Sequence, residues 1–136
     1  MGWHVVRGDE LEWVERETAD SDIPRRNAHV TDAVRLQHSR ARMWHYPPHT
    51  RGRRHRDHAQ EEVFVVISGT LTMLLGDPPE RVDIGASSVV AVEPMTPLQV
   101  RNQGDEDLYL YIYGAPPEQA GADFLDDVEL PPAELG

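Results

Sequence analysis

The chain has 136 residues, 39% of them hydrophobic and 27% charged, which is the composition of one soluble globular domain. It contains no cysteine, and all 13 basic residues are arginine, so thiolate chemistry, iron–sulfur clusters and Schiff-base chemistry are excluded. The net charge of −11 argues against nucleic-acid binding. No apolar run is long enough to predict a membrane span. The N-terminus has no basic segment followed by an apolar one, which predicts a cytoplasmic protein.

Residues 1–33 are predicted to form an N-terminal arm. Two short apolar stretches, residues 3–6 and 11–14, are candidate strands, and residues 19–24 have the composition of a loop. Apolar side chains in such an arm need a surface that covers them. They either cap the rest of the domain or pack on a second subunit, and we expect a homodimer.

Short strand patterns follow one another through residues 34–114, separated by turns that contain glycine or proline. No helix is predicted there. Repeated short strands with turn residues between them predict an all-β sandwich or barrel. The predicted strands are residues 34–36, 40–46, 62–67, 70–75, 81–84, 88–92, 98–102 and 108–113.

Charge is spread unevenly along the chain. Residues 1–60 carry eleven arginines and nine acids, whereas residues 61–136 carry two arginines and fifteen acids. The one basic cluster, residues 51–56, either pairs with the acidic half or lies in solvent, or it attracts an anionic ligand. Residues 115–136 contain acids and prolines but no basic residue, and they are predicted to form an irregular acidic tail.

Polar side chains with metal-binding chemistry precede the strand predicted at residues 62–67. His55 and Asp57 lie two residues apart, so on a strand they share a face, whereas His58 lies on the opposite face unless a bulge re-aims it. Imidazole and carboxylate groups bind divalent metals, and together they also supply general acid–base catalysis. His55 and Glu62 are therefore the candidate catalytic residues.

These residues resemble the first motif of the cupin superfamily, which is a glycine, then His-x-His, three or four residues, a glutamate, six residues and a glycine. Here Gly52, His55, Asp57, Glu62 and Gly69 stand at those places.

The second cupin motif is Pro-x-Gly, two residues, a histidine, three residues and an asparagine. The corresponding segment here runs from Pro94 to Asn102, with Met95 in place of the glycine and Leu98 in place of the histidine. The resemblance therefore covers residues 40–114. In the first motif Asp57 takes the place of the second histidine, and the second motif is degraded.

The resemblance implies a double-stranded β-helix, the cupin jelly-roll barrel, which is commonly a dimer. Cupins hold Mn, Fe, Zn, Ni or Cu with three histidines and a glutamate inside the barrel. His55 matches the first ligand and Glu62 the carboxylate ligand, while Leu98 replaces a ligand. A metal would then be held by His55, Glu62 and either Asp57 or His58, a set that leaves open positions.

Several functions stay open at this point. The first is a small single-domain cupin that binds a small organic molecule in the barrel, with or without a weakly held divalent metal. Its candidate ligand contacts are Trp44, Gln60, Leu98 and Tyr111. The alternative is a metal-dependent enzyme of the dioxygenase or isomerase type, and a third function is a structural one. Leu98 favours the binding barrel over a metal dioxygenase, because leucine cannot ligate a metal.

Overall fold

A computed structural model describes residues 2–18, 21–117 and 121–133 of the chain. The helices in that part are a 3₁₀ turn at Gly8–Glu10 and the short helix α1 at Val30–Ala33, and neither is long and apolar enough to span a membrane. The strands are β1 Trp13–Thr18, β2 Ser21–His29, β3 Arg40–Tyr46, β4 His55–Asp57, β5 Glu61–Ser68, β6 Leu71–Leu75, β7 Glu80–Ile84, β8 Val89–Val92, β9 Leu98–Arg101, β10 Leu108–Ala115 and β11 Ala122–Phe124.

The strands form two antiparallel sheets that enclose one core. One sheet has the order β1-β2-β3-β10-β5-β8 and the other has the order β11-β4-β9-β6-β7. Within the described residues no ladder of paired strands joins the two sheets, so the predicted barrel is not closed. Both sheets contribute side chains to the core, which contains Tyr46, Phe64, Val66, Leu71, Met73, Val92, Leu98, Val100, Leu108 and Leu110.

Strand β10 shows why these residues form a half-buried sheet. Leu108 and Leu110 are fully buried, and Ile112 packs against the same core. The three tyrosines that alternate with them lie on the other face, as a period of two requires. The predicted alternation of this strand is confirmed, and it leaves the inner face of β10 apolar up to Gly114.

The N-terminal region differs from the predicted arm. Strand β2 pairs with both β1 and β3, so residues 13–29 extend the six-stranded sheet, and a separate arm is not confirmed. Residues 3–6 form no strand, and Trp3 and Val5 are exposed. Residues 21–24, predicted as loop, belong to β2, whereas residues 19–20 lie outside the described residues. The homodimer and the cytoplasmic location stay predictions.

One predicted strand is absent, and part of the tail is ordered. Residues 34–36 are not a strand: they follow α1, where Arg35 adopts a φ of 54° that no strand residue has. The tail is not wholly irregular either, because β11 pairs with β4. The tail also pairs with the basic cluster, since Arg51 lies 2.6 Å from Asp127 and Arg56 donates to Asp123 at 2.8 Å.

Candidate functional site

Strands β4 and β5 bring one imidazole and two carboxylates together. The Nε2 atom of His55 lies 3.6 Å from Oδ2 of Asp57 and 3.8 Å from Oε1 of Glu62. All three side chains are half-buried, and they can offer ligand atoms that lie within 4.8 Å of one another. Asp57 shares a face with His55 as the two-residue spacing predicts, and Glu62 lies near the start of the next strand.

Local contacts orient the His55 ring toward the carboxylates. Its Nδ1 lies 3.0 Å from the carbonyl oxygen of Arg53, and when this nitrogen carries the proton it donates to that oxygen. Such a hydrogen bond leaves Nε2 free to hold a proton or to ligate a metal. Leu98 lies opposite His55 on β9, so an apolar side chain stands where the resemblance implies a third histidine.

The three groups shift one another's protonation. Burial lowers the pKa of His55, but the carboxylates of Asp57 and Glu62 outweigh it and raise that pKa to about 10. Burial raises the pKa of Asp57, yet the contact with His55 holds it low, at about 2. Burial raises the pKa of Glu62 to about 7, helped by the negative charge of Asp57. Near neutral pH the site therefore holds an imidazolium, an aspartate and a partly protonated glutamate.

We expect the stability that His55 contributes to the metal-free protein to disappear in mild alkali. Because folding raises the pKa of His55, its contribution to stability is complete below the unfolded-state pKa of about 6.5. That contribution is lost as the pH rises through the folded-state pKa of about 10. The difference in free energy of unfolding between the wild type and His55→Ala should therefore shrink steadily from about pH 6.5 to about pH 10. Urea denaturation in the presence of a chelator measures it. A difference that stays constant across this window would contradict the assignment.

The residues present fit a divalent metal ion. The Oε1 atom of Glu62 is buried and has no hydrogen-bond partner among the described residues, which is costly for a carboxylate oxygen. An ion between the three side chains would satisfy that atom. Nitrogen and oxygen donors of this kind suit Mn, Fe, Ni, Cu or Zn.

The three side chains open onto a cavity of about 400 Å³, a size that suits a small organic molecule. Of the predicted ligand contacts, Trp44 and Gln60 line this cavity. Leu98 is instead buried in the core, and Tyr111 is absent from the lining, although its neighbour Tyr113 is present. His58 lies outside the cluster: it is exposed and its Nε2 is 2.8 Å from Oδ1 of Asp123.

The cavity also contains arginines, of which only Arg53 belongs to the basic cluster at residues 51–56. Arg25, Arg40, Arg42 and Arg53 line it, together with Phe124 from β11. The same alternation that groups Trp44 with Tyr46 extends along β3 to Arg42 and Arg40, and it would have placed these two correctly. No local pattern could have placed Arg25 or Phe124, because both arrive through pairing with distant strands.

Comparison with known proteins agrees with this architecture. The family model described as Cupin domain matches residues 42–113, just over half of the chain. The chain belongs to the cupin family. No curated protein matches the sequence of this cupin.

Solved structures share the fold of this cupin at low sequence identity. A double-stranded β-helix protein from Klebsiella pneumoniae is 20% identical with a TM-score of 0.69, over 90% of this chain and 97% of that chain. A predicted oxalate decarboxylase from Thermotoga maritima is 18% identical with a TM-score of 0.71, over 82% and 97%. A putative sugar phosphate isomerase from Acidithiobacillus ferrooxidans is 18% identical with a TM-score of 0.70, over 95% and 97%. At these identities the likeness concerns the fold alone.

Proposed function

We propose that this cupin binds a small organic molecule in its cavity and holds a divalent metal with His55, Asp57 and Glu62. The observation that carries the proposal is the position of these side chains, which converge on one side of a cavity of about 400 Å³. A bound divalent ion would supply Lewis acidity to a ligand oxygen. The protein's own residues would orient that ligand, with Trp44 as a wall and Gln60 beside the cluster.

The position of Gln60 supports its proposed role. Its amide nitrogen donates to the carbonyl oxygen of Pro116 at 3.0 Å, which fixes the side chain at the cavity wall. The opposite atom, Oε1, lies close to Gly114, where an added Cβ atom would approach it to 3.1 Å. A glycine at this place therefore keeps room for the amide next to Glu62.

A second candidate function is acid–base catalysis by Glu62 and His55 without a metal. It is favoured by the pKa of Glu62, which burial raises to about 7, near the value that suits a general base at neutral pH. In this case Glu62 would remove a proton from the ligand, and the imidazolium of His55 would stabilise the negative charge that develops. The expected reaction type is an isomerisation, in which the same carboxyl group returns the proton.

Metal titration of two histidine variants tests the first proposal. The wild type should bind close to one Mn²⁺ per chain, and His55→Ala should bind it about 100-fold more weakly or not at all, since losing even an indirect partner of a metal ligand costs about 10–100-fold. His58→Ala is the matched control and should bind like the wild type. Elemental analysis after dialysis, with titration calorimetry, measures both. Equal metal content in His55→Ala and the wild type would rule out the proposed ligand set.

A further inference from the structure

Four arginines surround the cavity, although the protein as a whole carries a net charge of −11. Arg40 and Arg42 stand two residues apart on β3, Arg25 is on β2 and Arg53 precedes β4. Among the described residues, the acids in the lining are Asp57 and Glu62. The arginines outnumber the acids in this lining, so the cavity is cationic.

Arg40 and Arg42 lack the partners that other arginines in this protein have. Arg51, Arg56 and Arg81 each lie within 3.0 Å of an aspartate, whereas neither Arg40 nor Arg42 has an ion pair among the described residues. Both are half-buried. Burial lowers the pKa of Arg42 and the neighbouring charges of Arg40 and Arg16 lower it further, whereas the carboxylate of Glu62 raises it. Two half-buried guanidinium groups of like charge on one strand are stabilised when an anion binds beside them.

Arg25 is held rigidly at the same cavity. Its guanidinium group stacks 5.1 Å from the ring centre of Trp44 and 5.3 Å from that of Tyr46. It donates to the Tyr46 hydroxyl at 3.2 Å and to the Glu17 carbonyl oxygen at 2.9 Å. Its Nε atom is buried and has no hydrogen-bond partner among the described residues. A guanidinium fixed in this way loses little entropy when it binds a ligand.

The register of the sheet places Arg40 two strands away from Glu62 of the metal-ligand cluster. Arg40 on β3 is opposite Gly114 on β10, and Gly114 is opposite Glu62 on β5. Two strand spacings separate Arg40 from Glu62, about 10 Å. Because Gly114 has no side chain, the Gln60 amide fits between the two, with its Oε1 atom 3.1 Å from the place of an added Cβ atom.

We propose that Arg25, Arg40 and Arg42 bind the carboxylate or phosphate group of a small organic anion whose other end lies against His55, Asp57 and Glu62. This proposal names the class of ligand for the proposed function, and it rests on that proposed function. Planar guanidinium groups hold both kinds of oxyanion through paired hydrogen bonds. A ligand that reaches both Arg40 and Glu62 must therefore have two functional ends, one of which is the anionic group.

Titration calorimetry with a phosphate ester, a carboxylate and an uncharged analogue tests the proposal. Glycerol 3-phosphate and succinate are the two anionic probes, and glycerol is the matched uncharged one. At least one anion should bind saturably to the chelator-treated protein, and glycerol should not. The stronger of the two anions identifies the group that the arginines recognise. Failure of both anions to bind, or equal binding of glycerol, would overturn the proposal.

Charge-neutral variants locate the binding. Arg42→Gln and, separately, Arg40→Gln should weaken binding of the anion about tenfold or more, because each removes a charge-assisted hydrogen-bond donor. Arg7→Gln removes the same charge from an exposed position outside the cavity and should bind the anion like the wild type. Equal affinity in all three variants would mean that the anion binds elsewhere.

The two proposals fail in different ways. Arg42→Gln retains His55, Asp57 and Glu62, so it should still bind Mn²⁺ when anion binding is lost. If the wild type binds Mn²⁺ but binds neither anion, only the anion site is refuted. If the wild type binds the anion but no metal, and Arg42→Gln loses the anion, the anion site is supported and the metal site is refuted.

Discussion

Replacing Gly69 with alanine should lower the free energy of unfolding by about 3 kcal/mol, because a strained backbone and a close contact act together. Gly69 ends β5 with a φ of 85°, a conformation that side chains with a Cβ atom rarely adopt. A Cβ atom there would also collide with the carbonyl oxygen of Asp107 and lie 3.0 Å from the Cα atom of Leu108. Both of these are backbone atoms next to the buried strand β10, so they cannot move aside cheaply.

Gly76 provides a matched control for Gly69. It has nearly the same φ, 84°, but the nearest atom to an added Cβ is the carbonyl oxygen of Pro78 at 3.7 Å, an ordinary contact. Gly76→Ala should therefore cost only the conformational strain, about 1 kcal/mol. Urea denaturation of the two variants measures the difference. If both lose the same stability, the approach of Asp107 is not what requires a glycine at residue 69.

Local patterns predicted the central strands well, for physical reasons. Residues 40–46, 71–75 and 98–101 carry apolar side chains at a spacing of two and are bounded by turn residues, so their structure depends mostly on near neighbours. Strand β2 was missed because Pro24, Arg25 and Arg26 are poor strand residues taken alone. Its pairing with β1 and β3, which a local window does not contain, stabilises it.

The candidate site was predictable only in part. The first motif pointed to His55 and Glu62 with either Asp57 or His58, and in the structure Asp57 is the one that lies beside them. The ligand contacts depended on which side chains reach the cavity from several strands. Leu98 is opposite His55 in register, yet it packs into the core. Residue spacing alone does not tell whether such a side chain lines the cavity or lies in the core. Arg25, Arg40 and Arg42 were missed because a basic residue on a strand is usually assigned to solvent.

Replacing Gln99 with alanine should also cost about 3 kcal/mol, because it leaves several buried polar groups without partners. Gln99 is completely buried and faces away from its neighbour Leu98. Its amide nitrogen donates to the carbonyl oxygen of Gly52 at 2.9 Å and to Oδ1 of Asp127 at 3.0 Å. Its amide oxygen accepts from Nε of Arg101 at 2.9 Å, and the Arg101 side chain is itself buried.

This cost should appear in the tail as well as in global stability. Arg101 also donates to the carbonyl oxygen of Val128 at 3.1 Å, so Gln99 and Arg101 together connect β9 to residues 127–128. In Gln99→Ala we expect faster hydrogen exchange at residues 122–128 and a lower urea midpoint. Gln103→Ala, which truncates an exposed glutamine after the same strand, should change neither. Unchanged exchange in the tail of Gln99→Ala would show that the tail is held by its surface ion pairs, such as Arg51 with Asp127, and that the buried amide contributes only to the core.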